Sequence, residues 1–269
     1  MKVVLLAGGL GSRLAEETKI RPKPMVEIGG IPIIEHIMNW YMKYGYTEFI
    51  ICLGYKGSEI INYFKDYQLK NSTVVIDTNG RVETVEKKSR PWKIILAQTG
   101  LDTQTAGRIK KIRKFLKPKE DFFMTYGDGL SDINLDKLYH FHKQSKKLAT
   151  LTAVKPLARF GALDLTMNGS VKDFIEKPIN ESNWINGGFF VLSEKAIDFV
   201  NSYNEAWETG PIKRLVSKKE LVAYKHKGFW QPMDTLREKN ILCDMWNEDT
   251  APWKVKHEKK KVFPLKQVM

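Results

Sequence analysis

Cysteine is nearly absent: there are two in 269 residues, Cys52 inside an apolar run and Cys243 in a helical stretch. That count excludes a disulfide framework, and the separation fits no zinc-site spacing, so both are expected as buried, reduced thiols. Histidine is also scarce, five in all. His140 and His142 lie two apart on a predicted helix, which puts them on different faces and disfavours joint metal ligation. No apolar stretch approaches the roughly 20 residues that cross a bilayer. The short run Val3–Gly9 follows only Lys2 and leads to no cleavage pattern. A soluble cytoplasmic chain with no membrane partner is expected. Acidic side chains are in deficit, 31 against 44 lysines and arginines, which leaves a net charge of +13. A positive field gathers nucleic acid, membrane surface or small anionic substrates. Here the excess sits in surface-helix contexts (Lys110, Lys111, Arg113, Lys114, Lys117; Lys143, Lys146, Lys147) and in the tail Lys254–Lys266, with no recognisable nucleic-acid module. No specific nucleic-acid partner is expected.

What is present is enough apolar surface for a core, 42% of residues, laid out as alternating strands and helices. The apolar runs Val3–Ala7, Glu48–Leu53, Thr73–Ile76, Ile94–Ala97 and Phe122–Tyr126 read as strands. Ile33, Ile34, Ile37, Met38, Tyr41 and Met42 recur at helical spacing, as do Ile60, Ile61 and Phe64. Ser58 and Asn134 are candidate helix caps, and Gly45 and Gly54 mark exits. This order predicts an α/β fold, a Rossmann-like mixed and mainly parallel sheet flanked by helices. Past Tyr126, the closely spaced strands Ala149–Val154, Leu163–Leu165, Val171–Ile175 and Gly188–Leu192 predict a small, partly antiparallel annex on that sheet. One domain over residues 1–253, followed by a basic tail over 254–269, is expected.

The first strand ends in Gly8-Gly9-Leu10-Gly11-Ser12-Arg13, with Lys23 following at Arg21-Pro22-Lys23-Pro24. Residues without β-carbons let backbone N–H groups approach phosphate oxygens, and Arg13 and Lys23 add positive charge, so the loop is suited to a triphosphate. It is not a Walker A loop, because no Gly-Lys-Ser/Thr follows at the required spacing. Nor does it fit the dinucleotide fingerprint well, since Leu14 stands where the third glycine belongs and Arg13 sits inside the turn. Asp128, in Thr125-Tyr126-Gly127-Asp128-Gly129, is exposed by flanking glycines at the carboxyl end of a strand, where a metal ion can be held. Asp234 is either its partner or the N-cap of the helix through Leu236, Asn240 and Met245. Glu176-Lys177-Pro178 puts a carboxylate beside an ammonium in a bend, a pair suited to a phosphosugar or to a plain surface turn. Asn186-Gly187-Gly188 offers an amide and bare backbone to a sugar, or only a bulge. Arg108 opens a helix, where its charge opposes the dipole unless it meets an anion.

In this order, the segments resemble the sugar-phosphate nucleotidyltransferases. The opening signature stands as Leu6-Ala7-Gly8-Gly9, Gly11-Ser12-Arg13 and Lys23-Pro24. Met25–Gly30, Thr125–Gly129, Arg159–Asp164, Ile185–Leu192 and Gly228–Arg237 are similar to the cytidylyltransferase subgroup. The resemblance implies a nucleotide-diphospho-sugar transferase type of fold, CTP and glucose 1-phosphate as substrates, CDP-glucose as product for surface-polysaccharide or O-antigen synthesis, Mg²⁺ as cofactor, and assembly as a homo-oligomer. It places Leu6, Ala7, Gly8, Gly9, Gly11, Ser12, Arg13, Lys23, Thr105, Arg108 and Asp128 on the nucleotide. Asp128 and Asp234 fall on the metal, and Tyr126, Gly161, Glu176, Lys177, Asn186 and Gly187 on the sugar phosphate. Arg13, Lys23, Asp128 and Asp234 would carry the catalysis. The chain departs from the pattern at Ser12, which replaces the usual threonine but keeps the hydroxyl, and at Ala106, where glycine is usual. The competing readings are the same chemistry with another sugar 1-phosphate or nucleoside triphosphate and a non-catalytic sugar-nucleotide sensor, with a hydride-transfer enzyme a weaker alternative; the presence of both aspartates speaks against the sensor.

Overall fold

The computed structural model describes residues 1–86, 90–156, 162–168, 170–175 and 184–255. A seven-stranded sheet runs through it in the spatial order Leu221–Lys225, Ala149–Val154, Ile185–Ser193, Asp121–Tyr126, Lys2–Ala7, Glu48–Leu53, Lys93–Gln98. Every strand of this sheet is parallel to the others except Ile185–Ser193, which opposes both its neighbours. The apolar run in the first strand follows from its place. Helices cover both faces, so Val3, Leu5 and Ala7 enter one core with Ile33, Ile37 and Phe123, while Val4 and Leu6 enter another with Ile109, Ile112 and Met124.

Two expectations need correcting. Thr73–Ile76 is a strand, but it pairs antiparallel with Val82–Glu86 in a two-stranded ribbon apart from the main sheet. Val75 and Ile76 stay exposed there, so the apolar run carries no core. Ala149–Val154 and Gly188–Leu192, read as part of an annex, lie inside the main sheet, because the antiparallel strand Ile185–Ser193 inserts between Ala149–Val154 and Asp121–Tyr126. What stands apart is the hairpin Ala162–Leu165 with Val171–Ile175. Strands that the sequence pattern does not mark include Leu221–Lys225, parallel to Ala149–Val154, and Gly129–Ser131, which pairs with Trp230–Pro232.

The helix ends are set by local chemistry. Asn134 caps Leu135–Ser145 by accepting the Lys137 backbone N–H at 2.9 Å. Ser58 is not a cap, because the helix Gly57–Lys65 starts one residue earlier, from Lys56 in the left-handed region (φ 49). Gly45 (φ +80) ends the helix Ile33–Lys43 in a conformation that glycine adopts without strain.

Candidate active site

The parallel strands Lys2–Ala7, Glu48–Leu53, Lys93–Gln98 and Asp121–Tyr126 deliver their carboxyl ends to one edge of the sheet, and Ile185–Ser193 begins at the same edge. In an open α/β sheet this is where ligands bind. Two adjoining compartments open there. The first, of about 400 Å³, is lined by Leu6, Ala7, Gly8, Gly9, Gly11, Ser12, Arg13, Lys23, Thr105, Arg108 and Asp128, together with Thr103 and Gln104. The second, of about 330 Å³, takes in Asn186, Gly187, Glu208, Trp230 and Asp234. Arg13, Tyr126 and Asp128 border both.

The glycine loop is held from beneath. Arg108, expected on the nucleotide, lines the first compartment and also supports the loop. Its guanidinium turns under the loop and donates to the carbonyls of Gly8 (3.0 Å), Leu53 (3.0 Å) and Gly100 (2.9 Å) and to Thr99 Oγ1 (2.6 Å). Carbonyl oxygens thereby stabilise the charge that the helix dipole opposes. Packing at this point is close: a β-carbon on Gly8 would lie 2.2 Å from the Arg108 guanidinium, and one on Gly54 would lie 2.5 Å from the Gly8 carbonyl oxygen.

The charged centre lies where the compartments meet. Lys23, on a short 3₁₀ turn between Pro22 and Pro24, places its Nζ 2.6 Å from Asp128 Oδ2 and 2.6 Å from Asp234 Oδ1. Arg13 reaches Asp234 Oδ2 at 2.8 Å while its own side chain stays 71% exposed. Burial alone would lower the Lys23 pKa, but the charges and hydrogen bonds of the two carboxylates outweigh it and hold the ammonium above its ordinary value. Asp128 and Asp234, far apart in sequence, meet because Gly129–Ser131 pairs with Trp230–Pro232 and the Met233 N–H donates to the Asp128 carbonyl at 2.8 Å. Asp234 is not a helix cap. Thr235 and Glu238 form a capping box on Leu236–Asn247, which leaves the Asp234 side chain free for the cleft. Among the described residues no three metal-type side chains gather. A cation here would take two carboxylate oxygens and fill its shell with water and phosphate oxygens, the habit of a hard divalent ion such as Mg²⁺.

In the second compartment, Tyr126 donates its phenol to Glu208. Burial and then the Glu208 charge drive the phenol pKa well above the ordinary tyrosine range, so it stays a protonated donor. Trp230 Nε1 donates to the Gly187 carbonyl at 2.7 Å, and Asn186 Oδ1 accepts the Gly188 N–H at 2.9 Å. Gly188 sits at φ +77, where a β-carbon would strike the Tyr126 ring at 2.6 Å. Gly161, Glu176 and Lys177 lie outside the described residues. Glu208, like the lining residues Thr103, Gln104 and Trp230, is one that sequence reasoning missed, since a single glutamate in Trp207-Glu208-Thr209 carries no motif.

The sequence matches the nucleotidyl transferase family over residues 2–237. It is 48% identical over 255 residues to the glucose-1-phosphate cytidylyltransferase of Salmonella typhimurium, an alignment covering 94% of this chain and 99% of that protein. Among solved structures, the fold is similar to the UTP-bound UGPase of Acinetobacter baumannii (TM-score 0.67, 18% identity, 92% of this chain and 93% of that one). It is also similar to HddC of Yersinia pseudotuberculosis complexed with GMP-PN (TM-score 0.64, 23% identity, 91% of this chain and 99% of that one).

Proposed function

Since this chain belongs to the nucleotidyl transferase family, we propose that it is a glucose-1-phosphate cytidylyltransferase, forming CDP-glucose and pyrophosphate from CTP and α-D-glucose 1-phosphate with Mg²⁺ as cofactor. The observation that carries the reading is the junction at Arg13, Tyr126 and Asp128, where a glycine-walled compartment and a second, hydroxyl- and amide-lined one meet beside Lys23 and two carboxylates. The 48% identity to the Salmonella enzyme over nearly the whole length of both chains supports the choice of base and sugar.

The chemistry is a displacement at phosphorus. A phosphate oxygen of glucose 1-phosphate forms a bond to the α-phosphorus of CTP as the bond to the β-phosphate bridging oxygen breaks, and pyrophosphate departs with that electron pair. A phosphate monoester is already an anion near neutral pH, so no protein nucleophile is required, and the described cleft-lining residues hold no serine, cysteine or histidine constellation. The N–H groups of Gly8–Gly11 and the cations of Lys23 and Arg13 take up the triphosphate charge. Tyr126, kept protonated, and the Asn186–Gly187 segment orient the sugar phosphate for in-line approach. Asp128 and Asp234 would hold Mg²⁺, which when bound neutralises charge on the leaving group. Lys23, which bridges both carboxylates, would be released to meet phosphate when they hold the metal.

Pyrophosphate release with Mg²⁺, glucose 1-phosphate and, in turn, CTP, UTP, dTTP and ATP tests this. Release confined to CTP is expected. Release with another triphosphate alone would overturn the base assignment and leave the displacement chemistry standing.

A further inference from the structure

Among the described residues three carboxylates face the second compartment, and they are not equivalent. Asp128 and Asp234 are met by Lys23 and Arg13. Glu208 pairs with no cation among the described residues; its partners are two neutral hydroxyls, those of Tyr126 and, at 3.3 Å, of Thr105. It stands on the wall shared with Asn186, Gly187 and Trp230. A carboxylate whose described partners are all neutral repels phosphate, so in a cleft built for two phosphorylated ligands this wall suits the part of a ligand that carries no charge. A charged carboxylate binds hydroxyl donors best, and its four lone-pair sites are not exhausted by two hydroxyls. A hexose ring presents such donors.

The segment is also anchored to the first compartment. Thr105, which donates to Glu208, lines that compartment and accepts the Trp207 backbone N–H at 2.7 Å. Tyr126, the other donor, borders both compartments. Glu208 therefore holds its position by reference to the nucleotide side while facing the sugar side.

We propose that Glu208 determines sugar specificity, accepting a hydrogen bond from a ring hydroxyl of the sugar 1-phosphate and fixing that ring relative to the nucleotide through Tyr126 and Thr105. This rests on the reading of the second compartment as the sugar-phosphate site. The test is kcat/KM for glucose 1-phosphate and its 2-, 3-, 4- and 6-deoxy analogues, in the wild type and in Glu208→Gln, with the KM for CTP recorded alongside. The wild type should reject one deoxy analogue by roughly 10- to 100-fold, the size of a lost hydrogen bond to a charged group. Glu208→Gln should lose that one discrimination and keep the others, with the KM for CTP unchanged. A variant that keeps every discrimination overturns the proposal, and so does one that loses activity evenly across the series with a raised KM for CTP, which is the mark of a structural role. Tyr126→Phe removes the donor to Glu208 without touching the charge and should weaken the same discrimination, so the proposal remains decidable if the glutamine variant does not fold. A wild type active on glucose 1-phosphate with an unaltered variant profile defeats this inference alone. A wild type that turns over none of the sugar 1-phosphates defeats the functional reading and the inference with it.

Discussion

At the residue scale, the site is a balance of charge around Lys23. One ammonium answers two carboxylates, and Arg13 supports the second. Asp128→Asn removes one of those charges while leaving Lys23 its partner Asp234, so the fold should survive and the melting temperature should stay within a few degrees. Turnover should fall on the order of 100-fold or more, as when a preorganised charge is lost from a transition state, and steady-state kinetics beside a thermal melt would check both halves. An active Asp128→Asn enzyme would remove this carboxylate from the centre. Lys23→Met acts in the opposite direction on the cation. It leaves Asp128 without its cation and Asp234 with Arg13 alone, so a divalent ion should bind more tightly than in the wild type when nucleotide is absent, while the KM for CTP rises. Calorimetric titration with Mn²⁺ alone reads the first effect, and an affinity no higher than the wild type's would show that the ammonium and the metal do not compete for the same oxygens. The chemical identity of these residues was legible in the sequence, whereas their convergence was implied only by the family resemblance and not by any spacing. Asp234 stood equally well as an N-cap until Thr235 was seen to hold that role, and Glu208 lacked any pattern that would have drawn notice.

At the element scale, the strands that read most plainly as parts of the main sheet are those buried on both faces. Val3–Ala7, Glu48–Leu53 and Phe122–Tyr126 are continuous apolar runs because two cores press on them. Thr73–Ile76 has the same composition without the burial, so its run alone could not tell a sheet strand from a surface ribbon. Leu221–Lys225 is only partly buried, and Gly129–Ser131 is three residues long, too little periodicity for either to be noticed. The short pairing of Gly129–Ser131 with Trp230–Pro232 nevertheless assembles the centre, because its register decides that Asp128 and Asp234 share a lysine. The glycine loop depends on its neighbours in the same way. Gly54 ends the strand Glu48–Leu53 and does not line the cleft, yet a β-carbon there would meet the Gly8 carbonyl at 2.5 Å and the Arg108 guanidinium at 2.6 Å. Backbone cannot yield as a side-chain tip can, so Gly54→Ala should displace the loop and raise the KM for CTP about tenfold, comparable to one or two neutral hydrogen bonds, with the KM for glucose 1-phosphate nearly unmoved. Equal rises in both constants would point to general loosening instead of a displaced loop.

At the scale of the whole molecule, the two cysteines report on different openings. Cys52 lies in the strand Glu48–Leu53, fully buried, with its thiol pushed up to about 12 by burial against a smaller opposing effect of Arg108. Cys243 is half-buried on the helix Leu236–Asn247. Only the thiolate reacts, and only where reagent can reach it. Exposing Cys52 requires the strand to part from Lys2–Ala7 on one side and Lys93–Gln98 on the other, which dismantles the middle of the sheet and approaches global unfolding. Native protein should therefore label promptly at Cys243 and only slowly at Cys52, with both labelling at once in denaturant. The same strand ends at the glycine loop, so ligand and core are coupled. CTP with Mg²⁺ at 100 times its dissociation constant should add about 2.7 kcal/mol to the folded state. Cys52 labelling should then slow about 100-fold where reclosing outruns the reagent. A Cys52 rate indifferent to CTP would mean that the strand opens without disturbing the loop it supports, and that the centre of the sheet and the nucleotide compartment are not coupled.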